Sequence, residues 1–268
     1  MTTNKQYLIT NPLTLTHDIS WYTIPKKAPS AYQHRLSNRL DAWYNQALVL
    51  NLVAQGFSLE TEIKPIVARK ANCGEYSVYR AIKRLDESGI LHRTKLDIQL
   101  GSEVVSFQGR GKMTFSQLRL NRRGRGLCRC LAHIDERWHP RETEWERTHR
   151  IHEQGKREPE HTLGTLVFAY QARLRGWKAG VMPNFREGRF VPDAVVEKDG
   201  EEFFVEVELH YGKGAKWRNM HNALSYIAFC GRSPQHEKTL REECGKVGSL
   251  IKSTNLTRLI TGEERLWA

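Results

Sequence analysis

The sequence predicts a mixed α and β protein built in two parts. Three observations predict it. From residue 39 to 88 apolar residues recur at helical spacing in three runs, and alternating strand-like runs follow to about residue 120. A dense stretch of charge at 135–160, with Pro140 and Pro159, reads as a linker or exposed helical connection. Beyond it a helical run leads into an Asp-Gly hairpin between apolar strands and then into a second helical run. With 268 residues, the chain can hold one large core or two modest ones.

Residues 1–38 carry Pro12, Pro25 and Pro29 with no sustained period, and read as an irregular N-terminal arm. From Arg39 the residues Leu40, Trp43, Leu48, Leu50, Leu52 and Val53 predict an apolar helix ending near Gln55-Gly56. Ser58 is placed to cap a second helix, whose first turn carries Glu60 and Glu62 and whose body carries Ile63, Ile66 and Val67. Asn72-Cys73-Gly74 is a turn, and Glu75–Ser88 a third helix stopped by Gly89. Val78, Ile82 and Leu85 share one stripe of it; Ser77, Arg80, Lys83 and Arg84 share another. A strand follows at His92–Ile98, a loop at Gly101, and two more strands around the Gly109-Arg110-Gly111-Lys112 turn. Three helices and then a β-wing is the order of a winged helix-turn-helix domain, here 39–134. The run from Ala81 to Arg93 resembles the end of a recognition helix entering the wing in bacterial regulators. That helix would enter a major groove with Ser77, Tyr79, Arg80 and Lys83 nearest the bases and Arg84 nearer phosphate.

Net charge is +12 and unevenly spread: residues 1–150 hold 24 Lys+Arg against 14 Asp+Glu, a net of +10, and residues 151–268 hold 18 against 16, a net of +2. Arg110, Lys112, Arg119, Arg122, Arg123, Arg125 and Arg129 stand together with no acid among them. Such a run gives salt-sensitive affinity for a polyanion, since each phosphate neutralised releases counterions. The partner this implies is double-stranded DNA. A solvated charged face is the alternative reading of the run. The five cysteines, at 73, 128, 130, 230 and 244, form no Cys-x-x-Cys pair and suit a reducing compartment. Cys128, Cys130, His133 and His139 match no usual zinc spacing, and Leu127, Leu131 and Ile134 read there as the apolar stripe of a helix. No apolar run reaches the length of a membrane span and no signal peptide is recognisable, so a cytoplasmic location without membrane association is expected.

The second part, 161–268, carries the chemistry. His161–Leu174 reads as a buried-faced helix. With Asp199-Gly200 as a two-residue turn, Lys198 pairs with Glu201, Val196 with Phe203 and Asp193 with Glu206. Opposed Cβ atoms lie roughly 4.5–5.5 Å apart, so Asp193, Glu206 and the diagonal Glu208 converge on one face. Alternation sends Phe203, Val205, Val207 and Leu209 to the other, buried face, although Val195 and Phe204 share the carboxylate face. Mutual repulsion is expected to raise at least one carboxylate pKa, and a hard divalent cation would turn that repulsion into binding. A helix from about Lys216 to Phe229 follows, with Trp217, Met220, Leu224 and Ile227 at helical spacing, and then a final strand including Leu250-Ile251. A solvated acidic strand face is the plain alternative.

Pro192-Asp193, the hairpin and Glu206-Val207-Glu208 resemble the PD-(D/E)XK nuclease superfamily. The resemblance implies a restriction-endonuclease-like αβ core in which Asp193 and Glu206 hold Mg²⁺ (or Mn²⁺). That family usually has Lys at the third position, where this chain has Glu208, so Lys213 and Lys216 become candidates for a displaced Lys. Glu160 would be the acid of the first helix. With the winged helix, the Leu120–Leu127 segment, His161-Thr162-Leu163 and Tyr226, the ordered set over about 40–260 is similar to the replication-relaxation family of plasmids and integrated mobile elements. Together these imply a metal-dependent DNA endonuclease. Asp193, Glu206 and the Val207 carbonyl would hold the ion, Glu208 would orient or deprotonate water, and Lys213 or Lys216 would offset charge on the phosphate. His210 is an auxiliary candidate. A non-catalytic replication or transcription factor with a decayed nuclease-like domain, or an assembly subunit that hands DNA to a partner nuclease or transposase, is the rival reading; a second copy of the chain or other mobile-element proteins are the protein partners expected.

Overall fold

In the computed structural model the described residues are 19–100, 105–106, 109–153, 159–183, 191–210, 214–224 and 226–267. They fall into two compact units, one holding 18–96 and 114–147, the other holding 97–113 and 148–268.

The first unit is built on three helices. In α1, Leu40–Gln55, the run from Gln46 to Ala54 is buried on every side, so this helix is the centre of its core. Gly56 ends it at φ 115°, a conformation glycine takes without strain, and its N–H reaches the Leu52 and Val53 carbonyls. Helix α2, Glu60–Ala71, is closed by Asn72 in the left-handed region. Its N-terminus departs from expectation. Ser58 does not cap it; the Ser58 hydroxyl instead accepts the Trp145 N–H at 3.1 Å. Helix α3, Glu75–Glu87, buries Val78, Ala81, Ile82 and Leu85 against α1 and α2 and leaves its polar stripe outward.

Strand β1, Leu91–Gln99, pairs with β4, Lys112–Leu120, while β2, Val105–Ser106, pairs with β3, Gly109–Arg110, inside the same excursion. Helix α4, Arg122–Ala132, is capped by the Asn121 side chain, which accepts the Gly124 N–H at 2.9 Å. Leu127, Cys128 and Leu131 are buried in it, but Ile134, expected on the same stripe, is 52% exposed because the helix stops two residues earlier. Residues 19–38 are tied into this unit. Trp43 Nε1 donates to Pro25 O at 2.7 Å, Trp138 Nε1 to Thr23 O at 3.0 Å, and Tyr22, Ala28 and Leu36 are buried. Residues 1–18 of the expected arm lie outside the described residues.

Helix α5, Glu144–Glu153, lies in the charged stretch. In the second unit α6, Pro159–Leu174, precedes β5, Lys178–Val181, β6, Ala194–Lys198, and β7, Glu201–Val207. Then come α7, Gly214–Ala223, β8, Tyr226–Gly231, α8, Pro234–Gly245, β9, Leu250–Asn255, and α9, Leu256–Ile260. The strands form one sheet in the order β5-β6-β7-β8-β9, antiparallel from β5 to β7 and parallel from β7 to β9. Helix, antiparallel meander, helix, parallel strand is the αβ core order expected of a restriction-endonuclease-like fold. The hairpin turn is the predicted one, with Asp199 at φ 53° and Gly200 at φ 84°, and Lys198 pairs with Glu201 and Val196 with Phe203.

Val195 and Phe204 on the carboxylate face already speak against an open face, and both faces of β7 are buried: α6 packs on β5, β6 and β7, while Val195 and Phe204 join Trp217, Met220, Ile227 and Phe229 in a second core layer. One expectation fails. The helix expected to run to Phe229 ends at Ala223, and Tyr226–Gly231 is a strand. An apolar strand buried on both faces has no alternation to distinguish it from a buried helix.

Gly124 is the tightest glycine of the first unit. A Cβ there would lie 2.2 Å from the Ile90 carbonyl oxygen, whereas one on Gly245 in α8 meets nothing within 4 Å. Gly124→Ala is therefore expected to lose about 1–3 kcal/mol or more in denaturant unfolding, and Gly245→Ala to be neutral or gain up to about 1 kcal/mol.

Candidate functional site

The hairpin register carries Asp193, immediately before β6, to the end of β7, where the Val207 N–H donates to Asp193 Oδ2 at 3.0 Å. Two imidazoles complete its surroundings. His152 Nε2, from α5, lies 3.2 Å from Oδ1, and His161 Nε2, from α6, lies 3.1 Å from Oδ2. The two rings meet edge to face at 4.4 Å, and His152 Nδ1 lies 3.1 Å from the Thr162 hydroxyl. Asp193 is 1% exposed. Burial alone would raise its pKa. The His161 charge, the hydrogen bonds from both imidazoles and the nearby Lys216 outweigh that and hold it well below the usual carboxylate range. Asp193 is thus not the carboxylate that repulsion raises, because its neighbours are imidazoles and an ammonium group.

Glu206 and Glu208, two residues apart at the end of β7, project toward one cation. Lys216 Nζ, from the first turn of α7, lies 2.6 Å from Glu206 Oε2 and 2.7 Å from Glu208 Oε2. The ring of Trp217, fully buried beside it, lies 5.7 Å from the ammonium. Glu208 keeps the chain in register through its N–H to Cys230 O at 2.9 Å. Lys213 falls outside the described residues. His210 acts through its carbonyl, 3.0 Å from His236 Nε2. Glu160 accepts the Gln99 N–H at 2.9 Å. Asp193, Glu206, Val207, Glu208 and Lys216 are therefore brought to one end of the sheet.

His152 and His161 were absent from the candidates. His152 sits in a stretch whose charge density suggested exposure, yet its side chain is 3% exposed. The sequence places His161 at the start of a helix and in the His161-Thr162-Leu163 motif, with nothing that puts it beside Asp193. The one available signal was a pair of histidines flanking the start of a buried helix.

In the first unit, Ser77, Tyr79, Arg80, Lys83 and Arg84 all line one groove beside α1, of about 490 Å³, with Arg39 across from them. Tyr76, 72% exposed, stacks on Tyr79 at 6.2 Å, and Arg93 lies over the Tyr79 ring at 5.3 Å. Lys83 pairs loosely with Glu87 at 3.7 Å. Arg119, Arg122 and Arg125 line a second groove of about 540 Å³ with His92 and Arg129, and Arg123 lines a third with Tyr32. The basic run is less naked than its sequence suggests. Arg125 is paired with Glu146, and Lys112 with Asp97 at 2.8 Å, both acids from outside the run. The Arg110 side chain lies outside the described ones.

No family model and no curated protein matches the chain. Among solved structures it is similar to the restriction endonuclease FokI, with a TM-score of 0.30 and 13% identity over 86% of this chain. The matched part makes up 45% of that structure. Among the described residues no helix is long and apolar enough to cross a membrane.

Removing the carboxylate would leave two imidazoles and an N–H buried without it. Asp193→Ala is expected to cost about 3–5 kcal/mol of unfolding free energy, and Asp193→Asn, which keeps one acceptor oxygen, about 1–3 kcal/mol. Urea unfolding followed by circular dichroism measures both. A neutral Asp193→Asn would mean that the His–Asp–His contacts contribute nothing to the fold.

Proposed function

We propose that the chain binds double-stranded DNA through its helical unit and carries a metal-dependent phosphodiesterase site at the end of its sheet. The observation that carries this reading is the position of Lys216, which supplies from α7 the ammonium that Glu208 displaces from the strand. Three carboxylates and one ammonium at the end of a strand pair are the residue types that phosphodiester hydrolysis uses. Asp193 and Glu206 are carboxylates, the donor type a hard divalent cation takes, and both stand at the end of β7; an ion there would take the place of Lys216 on Glu206. They would hold it with the Val207 carbonyl, and a bound Mg²⁺ or Mn²⁺ supplies a polarised phosphate and a more acidic water. Glu208 accepts the proton of the attacking water. Lys216 offsets the charge that grows on the phosphate oxygens.

DNA would meet the groove beside α3 through Ser77, Tyr79, Arg80 and Lys83. Arg84, Arg119, Arg122 and Arg123 would hold phosphates, with smaller parts for the paired Arg125 and Lys112 and for Arg110. The mobile-element setting rests on the ordered sequence motifs from Leu120 to Tyr226. A second reading is favoured by the enclosure of Asp193: a carboxylate wrapped by two imidazoles and an N–H suits a structural clamp in a DNA-binding protein that does not cut.

Supercoiled and linear DNA incubated with the protein and Mg²⁺ or Mn²⁺ separates the two readings. Nicked or linear product is expected from the native chain, none from Asp193→Ala, and at least about 100-fold less from Lys216→Ala. DNA retention without any product under either ion would favour the clamp. In binding assays, Arg80→Glu or Lys83→Glu is expected to weaken site-specific affinity. Neutralising Arg122 and Arg123 together should lower the salt slope by roughly two. Unchanged binding in all of these variants would place the DNA surface elsewhere.

A further inference from the structure

We infer that His152, His161 and Asp193 form a binding site for a transition-metal dication of the Zn²⁺ or Co²⁺ type, one that discriminates against Mg²⁺. The site shares Asp193 with the proposed phosphodiesterase centre but holds whether or not the chain cuts DNA. Its ligand atoms come from three separate segments and all lie within 4.8 Å of one another, with all three residues buried. Ligands about 2.0–2.1 Å from a tetrahedral centre stand roughly 3.3 Å apart. His152 Nε2 stands 3.2 Å from Asp193 Oδ1 and His161 Nε2 3.1 Å from Oδ2, so each imidazole meets its own carboxylate oxygen, and an ion between the rings would be reached by both oxygens or by one after the carboxylate turns.

The outer contacts are those a metal-binding histidine and carboxylate need. With an ion on Nε2, the neutral His152 ring carries its hydrogen on Nδ1, which then donates to the Thr162 hydroxyl 3.1 Å away. Asp193 is oriented independently by the Val207 N–H at 3.0 Å. Selectivity follows from donor chemistry. Imidazole nitrogen suits Zn²⁺, Co²⁺ and their neighbours, whereas Mg²⁺ requires oxygen ligands and sheds water reluctantly. Glu206 and Glu208, the further oxygen donors of the proposed phosphodiesterase centre, are no part of this three-ligand set. Two imidazoles and one carboxylate also form the three-ligand count that leaves a fourth position for water or a phosphate oxygen.

The test is a Co²⁺ titration of the tag-free, chelator-treated full chain, read by visible absorption and melting temperature. One equivalent of Co²⁺ is expected to develop a visible band and raise the melting temperature. Zn²⁺ should displace it, and Mg²⁺ should act at concentrations at least about tenfold higher. His161→Gln and His152→Ala are expected to lose the band. Because those variants could fail to fold, the native chain decides the matter alone: a folded chain with no band and a melting temperature flat in Co²⁺ and Zn²⁺ overturns the inference. A band that persists in a folded His152→Ala, His161→Gln double variant overturns it as well. DNA nicking is scored separately, so a Co²⁺ band without nicking removes only the phosphodiesterase reading, and nicking without a Co²⁺ band removes only this one.

Discussion

Asp193 is the constraint on which the second unit is organised. A carboxylate this deeply buried is tolerated only when neighbours supply what water would have supplied, and here an N–H of β7 and two imidazoles do so. Those partners lie on α5, α6 and the far strand of the hairpin, so satisfying one side chain fixes the positions of three segments. Breaking such a cluster costs more than the cluster gains over an apolar core of the same shape. That asymmetry argues that the residues are kept for chemistry or for a unique packing.

The second cluster follows from strand geometry. Residues two apart on a strand face the same way, so Glu206 and Glu208 inevitably crowd each other. Lys216 resolves the crowding from outside the strand, with the buried Trp217 ring beside its ammonium. The result is a short chain of alternating charge beside Asp193. A Lys on the strand itself at 208 would have placed one cation there with one fewer acid, leaving the α7 lysine only Glu206 as a partner of this pair.

The helical unit uses its charge more selectively than a count of cations suggests. The outward stripe of α3 and Arg39, just before α1, line one groove, and the stacked Tyr76 and Tyr79 line it too. Arg125 is met by Glu146, an acid distant in sequence, while Arg119, Arg122, Arg123 and Arg129 are exposed.

What the sequence determined by itself was whatever depends on neighbours in the chain. Helical spacing placed α1, α2, α3 and α6 to within a residue or two. Asp199-Gly200 fixed the hairpin turn and its register, and the register brought Asp193 to Glu206. Only the tertiary structure decided the rest. Tyr226–Gly231 became a strand because it is covered on both faces, and α8 went unread between two strands. Ser58 faced Trp145 and did not cap α2. Which lysine serves the carboxylates, and that His152 and His161 enclose Asp193 from 41 and 32 residues away, depend on side chains meeting across the fold. Spacing along a chain encodes periodicity and turns; it does not encode which distant imidazole or ammonium will be the partner that a buried carboxylate must have.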